Sequence, residues 1–284
     1  MSFKVIEIGE DGYPPLLSQS KFAPQKIYVA GEYNFADKFC LAMVGTRTPS
    51  NLAVASVDAM VSSISQKNVL IVSGLAQGID SLCHEAALKY KLKTAAIIGQ
   101  GLNVPLSGSQ RILAEKILAN GGSIISIFPL DTHPEKWTFI KRNRIISGMS
   151  NAVILVESRV KGGAMHTANF CLNDGKKLYA LPSNPLYEAS QGGNKLIYEG
   201  KATPIWNFKE LPNILGFNEQ LSLFSDCATE GLSGDLDWIE RGSIHTIEEI
   251  CEQSGKTYSE ILSILTEMEM QGQCSVQDGQ RVIF

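Results

Sequence analysis

Short apolar runs recur through the first two hundred residues, each stopped by glycine or proline and most followed by residues at helical spacing. Val69-Leu-Ile-Val72 is the clearest: four aliphatic residues, then Ser73-Gly74-Leu75-Ala76-Gln77-Gly78-Ile79-Asp80, then a helical pattern to about residue 89. A run without alternation suits a strand buried on both faces, as in a parallel sheet. Similar runs stand at 40–44, 94–98, 123–127, 151–156 and 177–181. Helical patterns lie between them at 51–66, behind the cap Ser50, at 109–119 and at 167–173. Strands alternating with helices predict an α/β domain with a doubly wound, extended Rossmann-like parallel sheet. Ligands of such sheets bind beyond the carboxyl ends of the strands. Gly45-Thr46-Arg47, Ser73-Gly74, Gly99-Gln100-Gly101 and Glu157 are expected there.

The pattern changes after residue 206. Residues 207–242 lack a sustained period and read as a linker. From 243 onward two short amphipathic helices, the first opened by the Thr246/Glu249 capping box, precede two short strands around Asp278-Gly279. Helix, helix and hairpin predict a small C-terminal winged helix. Residues 1–38 read as an N-terminal lead-in packed on the core, 39–206 as the Rossmann-like domain and 243–284 as the winged-helix-like domain. Within the lead-in, residues 12–16 read as extended and 26–31 as a short strand.

Charge divides the chain at the same place. Residues 218–284 hold three basic and thirteen acidic residues, a net −10, whereas residues 1–217 hold 22 basic and 16 acidic, a net +6. An anionic partner is therefore expected for the body alone. No apolar run is long enough to span a bilayer, so no membrane partner is expected. The six cysteines are widely spaced with no C-x-x-C pair and read as reduced thiols of a cytoplasmic protein. No metal-ligand spacing, cofactor motif or catalytic triad is found, so metal, cofactor and catalytic residues are all expected to be absent.

The richest run is Lys136-Trp137-Thr138-Phe139-Ile140-Lys141-Arg142-Asn143-Arg144. Its cations suit phosphates and its aromatic rings suit unpaired bases. Gly45-Thr46-Arg47 offers a close backbone approach with a hydroxyl and a guanidinium. The Ser73, Gly74 and Gly78 turn and the Gly162-Gly163 turn leading to Thr167 offer backbone amides at helix starts. Asn194, in Gly192-Gly193-Asn194, belongs to a third loop of this kind. Taken together, these residues are the expected phosphate and DNA contacts.

The combination of Ser73-Gly74-Leu75-Ala76-Gln77-Gly78-Ile79-Asp80, Gly45-Thr46-Arg47, Phe139-x-x-Arg142-Asn143-Arg144-Ile145-Ile146-Ser147-Gly148 and Gly192-Gly193-Asn194 resembles the bacterial DNA-processing family DprA (Smf) over residues 10–205. The C-terminal segment resembles that family's winged helix. The resemblance implies a single-stranded-DNA-binding homodimer that loads a RecA-type recombinase in natural transformation, and no enzymatic activity. A DprA-like role in defence or in a mobile element is an alternative. Departures from the family pattern are Ile140 for a proline, Gly162-Gly163-Ala164 for Ser-Gly-Ser, Ile127 for an acidic residue, and the lack of the helical domain that precedes the core in many members. Two rivals are a nucleotide phosphoribohydrolase of the lysine-decarboxylase-like group and an adenine-nucleotide sensor. The loop 162–169 lacks the carboxylate that the hydrolase requires. The winged helix has no Lys or Arg on its second helix, so residues 243–284 are expected to contact protein rather than duplex DNA.

Overall fold

A computed structural model describes residues 3–217 except Tyr33 and Ala36, together with 244–270, 274–277 and 281–283. The chain divides into two units, Met1–Asn218 and Glu219–Phe284.

The strands of the first unit are β1 (Lys4–Glu7), β2 (Lys26–Gly31), β3 (Phe39–Val44), β4 (Val69–Ser73), β5 (Lys93–Ile97), β6 (Ser123–Ser126), β7 (Ala152–Leu155), β8 (Lys177–Ala180) and β9 (Thr203–Pro204). Its helices are α1 (Pro15–Ser18), α2 (Asn51–Ser63), α3 (Ile79–Lys89), α4 (Gly108–Ala119), α5 (Lys136–Gly148), α6 (Ala164–Asn173), α7 (Gln191–Tyr198) and α8 (Leu211–Ile214). The strand order is β1-β2-β6-β5-β4-β3-β7-β8-β9. From β3 the chain winds outward through β4, β5 and β6, then returns to β7 on the other side of β3. The crevice between β3 and β7 is thus the switch point at which such sheets bind ligands.

Because β3 and β7 are covered on both faces, every second residue serves a different core. Cys40, Ala42, Val44, Val153 and Leu155 pack with Ile145 and Ile146 of α5 and Ala168 of α6. Leu41, Met43, Ala152 and Ile154 pack with Val57 and Met60 of α2 and Ile79 of α3. This double burial explains the unalternating apolar runs.

Three features were not legible in the pattern. The sheet is mixed, since β2 pairs antiparallel with both β1 and β6, so the first residues extend the sheet itself. Residues 15–18 form a helical turn rather than extended chain, because proline is tolerated at the first helical position. Residues 207–217, the start of the expected linker, pack on the body. Leu211 and Leu215 are buried, the Tyr179 hydroxyl donates to Ile214 O at 2.9 Å, and Phe217 meets Phe39 edge-on at 4.8 Å. Apolar residues at helical spacing around α8 produce this packing despite its brevity. The rest of that linker, 218–242, lies outside the described residues.

In the second unit α9 (Ile247–Ser254) and α10 (Tyr258–Met270) pack on a three-stranded sheet of order β10-β12-β11, with β10 Ile244–Thr246, β11 Ser275–Gln277 and β12 Arg281–Ile283. The Thr246/Glu249 capping box forms as expected, and Gly255 ends α9 in the left-handed region at φ +70°. Ile247, Ile250, Ile261, Leu265 and Val282 make its core. The Asp278-Gly279 turn lies outside the described residues.

Candidate nucleic-acid interface

The site begins with glycines that bring three strand ends together. At the end of β3 a Cβ on Gly45 would sit 2.6 Å from Ile79 Cγ1. Thr46 N donates to Glu157 O at 2.8 Å, and Thr46 O accepts from Ile79 N at 3.1 Å. Gly78 holds φ +91°, and a Cβ there would collide with Thr46 O. Strain and collision act together at this position, so Gly78→Ala is expected to destabilise the body by at least about 1–3 kcal/mol. Thermal denaturation of the variant measures this, and an unchanged midpoint would show the turn to be tolerant.

Ser73 is buried behind the site, its hydroxyl donating to Met43 O at 2.7 Å. The next residue, Gly74, leaves the space that the Arg142 guanidinium occupies. Arg142 reaches it from α5 and is 4% exposed; its one charged partner among the described residues is Asp80, Nη1 to Oδ2 at 3.4 Å. Its Nε has no hydrogen-bond partner among the described residues. Burial pushes the Asp80 carboxyl up, with Arg142 and the Ala76 amide pulling it back. Burial likewise pushes Arg142 down, opposed by Asp80 and reinforced by Arg47. A cation so placed, desolvated and incompletely paired, favours an anion beside it.

A cavity of about 410 Å³ opens beside Arg142. Gly45, Thr46, Arg47, Phe139, Asn143, Gly162, Gly163 and Thr167 line it, eight residues expected from sequence, together with Arg142. Two helix starts face it. α6 begins at Ala164, three residues before the predicted start, so Gly162-Gly163 stands at its amino end; a Cβ on Gly163 would meet nothing within 4 Å. α3 begins at Ile79 with Asp80 in its first turn. The helix dipoles thus add to the arginines in favouring an anion. A second cavity, of about 490 Å³, adjoins the first and includes Gly74 in its lining. Arg47, Ala76, Phe139 and Arg142 belong to both linings. The Arg47 and Arg142 guanidinium carbons lie 5.7 and 5.8 Å from the Phe139 ring centre, and the ring rests on Gly99, where a Cβ would come within 2.8 Å of it.

Other expected contacts are not brought to this cavity. The cationic run forms the 13-residue helix α5, and a turn of 3.6 residues spreads consecutive cations around its surface. Lys136 is exposed at its start, and Lys141 Nζ lies 4.8 Å over the Trp137 ring. Arg144 is clamped between Phe22 at 3.5 Å and Phe170 at 4.5 Å. Asn194 spends its amide on Ser183 N and O, both at 2.9 Å, closing the loop after β8. Glu157 accepts from Ser50 Oγ at 2.6 Å and Ser50 N at 3.2 Å, so it anchors the start of α2 rather than lining the cavity. Sequence reasoning missed Asp80, Ser158, Arg159 and His166, which do line it. Arg159 was within reach, since it lies just past the end of β7 at the switch point.

Among the described residues, no group of three or more His, Cys, Asp or Glu could hold a metal ion.

Comparison with known proteins bears on the whole arrangement. Residues 4–216 match the family model for DNA recombination-mediator protein A, and residues 243–280 match the DprA winged helix domain. Protein Smf of Escherichia coli is 36% identical over 196 residues, 69% of this chain and 52% of the relative, so the chain spans about half that relative's length. The DNA processing protein DprA of Bacillus subtilis is 35% identical over 213 residues, 73% of this chain and 71% of the relative. Among solved structures, DprA of Streptococcus pneumoniae aligns with TM-score 0.69 at 30% identity, covering 75% of this chain and 74% of that one. DprA of Helicobacter pylori, whose structure is described as revealing a single-stranded DNA binding mode, aligns with TM-score 0.67 at 28% identity, covering 75% and 95%. The fold, the switch-point glycines and these matches agree, and the chain belongs to the DNA recombination-mediator protein A (DprA/Smf) family.

Proposed function

We propose that the body binds single-stranded DNA, with a backbone phosphate in the cavity beside Arg142 and a base against Phe139. The observation that carries this reading is the buried Arg142, held among the described residues by one long contact to Asp80 and lining a cavity between two helix starts. Arg47 and Arg159, both exposed at the rim, draw the strand in. The single-strand binding described for the Helicobacter pylori relative supports the same ligand. In this reading the protein protects the strand and hands it to a RecA-type recombinase, as in natural transformation, acting as a homodimer by binding and not by catalysis. The family's description as a recombination mediator supports that role.

Arg47→Ala is expected to flatten the dependence of log affinity on log salt by roughly one unit while weakening all sequences alike. Phe139→Ala is expected to cost about 1–3 kcal/mol of affinity with the slope unchanged. Titration of labelled oligo-dT at several salt concentrations measures both; unchanged binding by the two variants would remove the site. Lys136, Lys141 and Arg144, away from the cavity, are expected to have smaller effects.

The winged helix is proposed to contact protein. Its second helix exposes Tyr258, Ser259, Glu260, Leu262 and Ser263, a surface without the cations that phosphates demand. Residues 218–284 expressed alone are expected to leave duplex DNA unshifted, and a shift at low micromolar concentration would refute the assignment.

A further inference from the structure

Arg144 is held differently from the other cations of its run. Its guanidinium carbon lies 3.5 Å from the centre of the Phe22 ring and 4.5 Å from that of Phe170. Rings stacked on a guanidinium occupy its faces and leave its N–H edge. Arg144 is only half-buried, and no hydrogen bond or ion pair joins it to another described residue. Its planar fork of donors is therefore fixed in place and unspent.

The position of this group relative to the cavity follows from helix geometry. Side chains four residues apart lie on one face of a helix, one turn apart. Ile140 of α5 and His166 of α6 line the first cavity. One turn further along the same two faces stand Arg144 and Phe170. The two helices pack together, and Asn143 Nδ2 joins them by donating to Gly163 O at 3.4 Å. The sandwich thus stands in the groove between α5 and α6, one turn beyond the cavity. Neither helix contains an aspartate or a glutamate, and exposed Lys141 stands one turn before Arg144 on α5. The groove is cationic, and no carboxylate of its own helices competes for the fork.

Resting on the single-strand reading above, we infer that Arg144 is a second phosphate site, outside the cavity, and that it takes another phosphodiester of the same strand. The strand then runs from the cavity along the α5–α6 groove. Two N–H groups of the fork suit two phosphate oxygens. The rings already restrict the side chain, so little rotamer freedom is lost when the anion arrives. The contact reads no base and extends the length of strand that is covered.

The experiment modifies the arginines of the 284-residue chain with phenylglyoxal, which attacks the guanidinium, and reads each site by mass spectrometry. Arg144 is expected to react in the free protein. At a free oligo-dT concentration of about ten times Kd, modification of both Arg47 and Arg144 is expected to slow about tenfold. An Arg144 that does not react in the free protein has a closed edge, which overturns the inference. Protection of Arg47 with Arg144 left fully reactive overturns it alone, whereas protection of neither removes the single-strand reading as well. Arg144→Met is expected to bind oligo-dT about threefold more weakly, the modest effect of a half-exposed charge contact. A folded variant that binds like the wild type overturns the inference, and if the variant does not fold the protection of the wild type decides.

Discussion

Replacing Arg142 by methionine is expected to cost the fold about 3–5 kcal/mol, because it strands the buried Asp80 carboxylate without a counter-charge. The residue is 4% exposed and Asp80 7% exposed, so water cannot replace the lost partner. The same change removes the cavity's buried cation and is expected to abolish strand binding at moderate salt. Stability and binding separate in the double variant Asp80→Asn/Arg142→Met, which no longer buries a charge. It is expected to regain most of the stability and none of the affinity. Urea denaturation of both variants, beside oligo-dT titration, checks the pair. A single variant as stable as the wild type would show that the two side chains do not form a charged pair.

Acid should reveal a second buried group, His84. Its ring is 0% exposed, with Nδ1 2.6 Å from Thr94 Oγ1. That hydroxyl donates its proton to Ile71 O at 2.8 Å, so Nδ1 carries the hydrogen, and the buried Nε2 has no partner among the described residues. Burial first, and the Arg142 charge second, lower the pKa from 6.5 to about 3. Below pH 6.5 the unfolded chain takes up a proton that the folded chain refuses, so stability falls with pH until about pH 3. The slope is about 1.4 kcal/mol per pH unit, and the whole loss roughly 4–5 kcal/mol. Asp80 acts in the opposite sense, since its raised carboxyl gains stability as pH falls. The difference between the wild type and His84→Leu therefore isolates the histidine. Urea midpoints at pH 7 and pH 4.5 should fall further for the wild type than for the variant. Equal falls would show that His84 is protonated in the fold.

The sheet was readable because β3, β4 and β7 are buried on both sides, so their residues are aliphatic without alternation. The ligand-facing glycines were readable because Gly45, Gly74 and Gly78 meet backbone or side chains where no Cβ fits. What periodicity could not show was which way the cationic run would turn. Arg142, Arg144 and Lys141 are equivalent as letters, yet helical rotation places the first in the cavity, the second between Phe22 and Phe170, and the third over Trp137. Asp80 was visible inside the motif, but its pairing with a residue 62 positions away is a tertiary fact. β1 was missed for another reason: only Ile6 of its four residues is buried, and edge pairing with β2 does the rest.

The central claim is that a buried, incompletely paired arginine at the sheet's switch point holds the phosphate of an unpaired strand. The most direct measurement is competition between single-stranded and duplex oligonucleotides of equal phosphate number for this 284-residue chain across a salt series. The account predicts that the single strand wins at every salt concentration, that affinity falls as salt rises, and that Arg47→Ala lowers the steepness of that fall while leaving the protein folded. Equal competition by duplex, or a salt slope unmoved by Arg47→Ala, would contradict it.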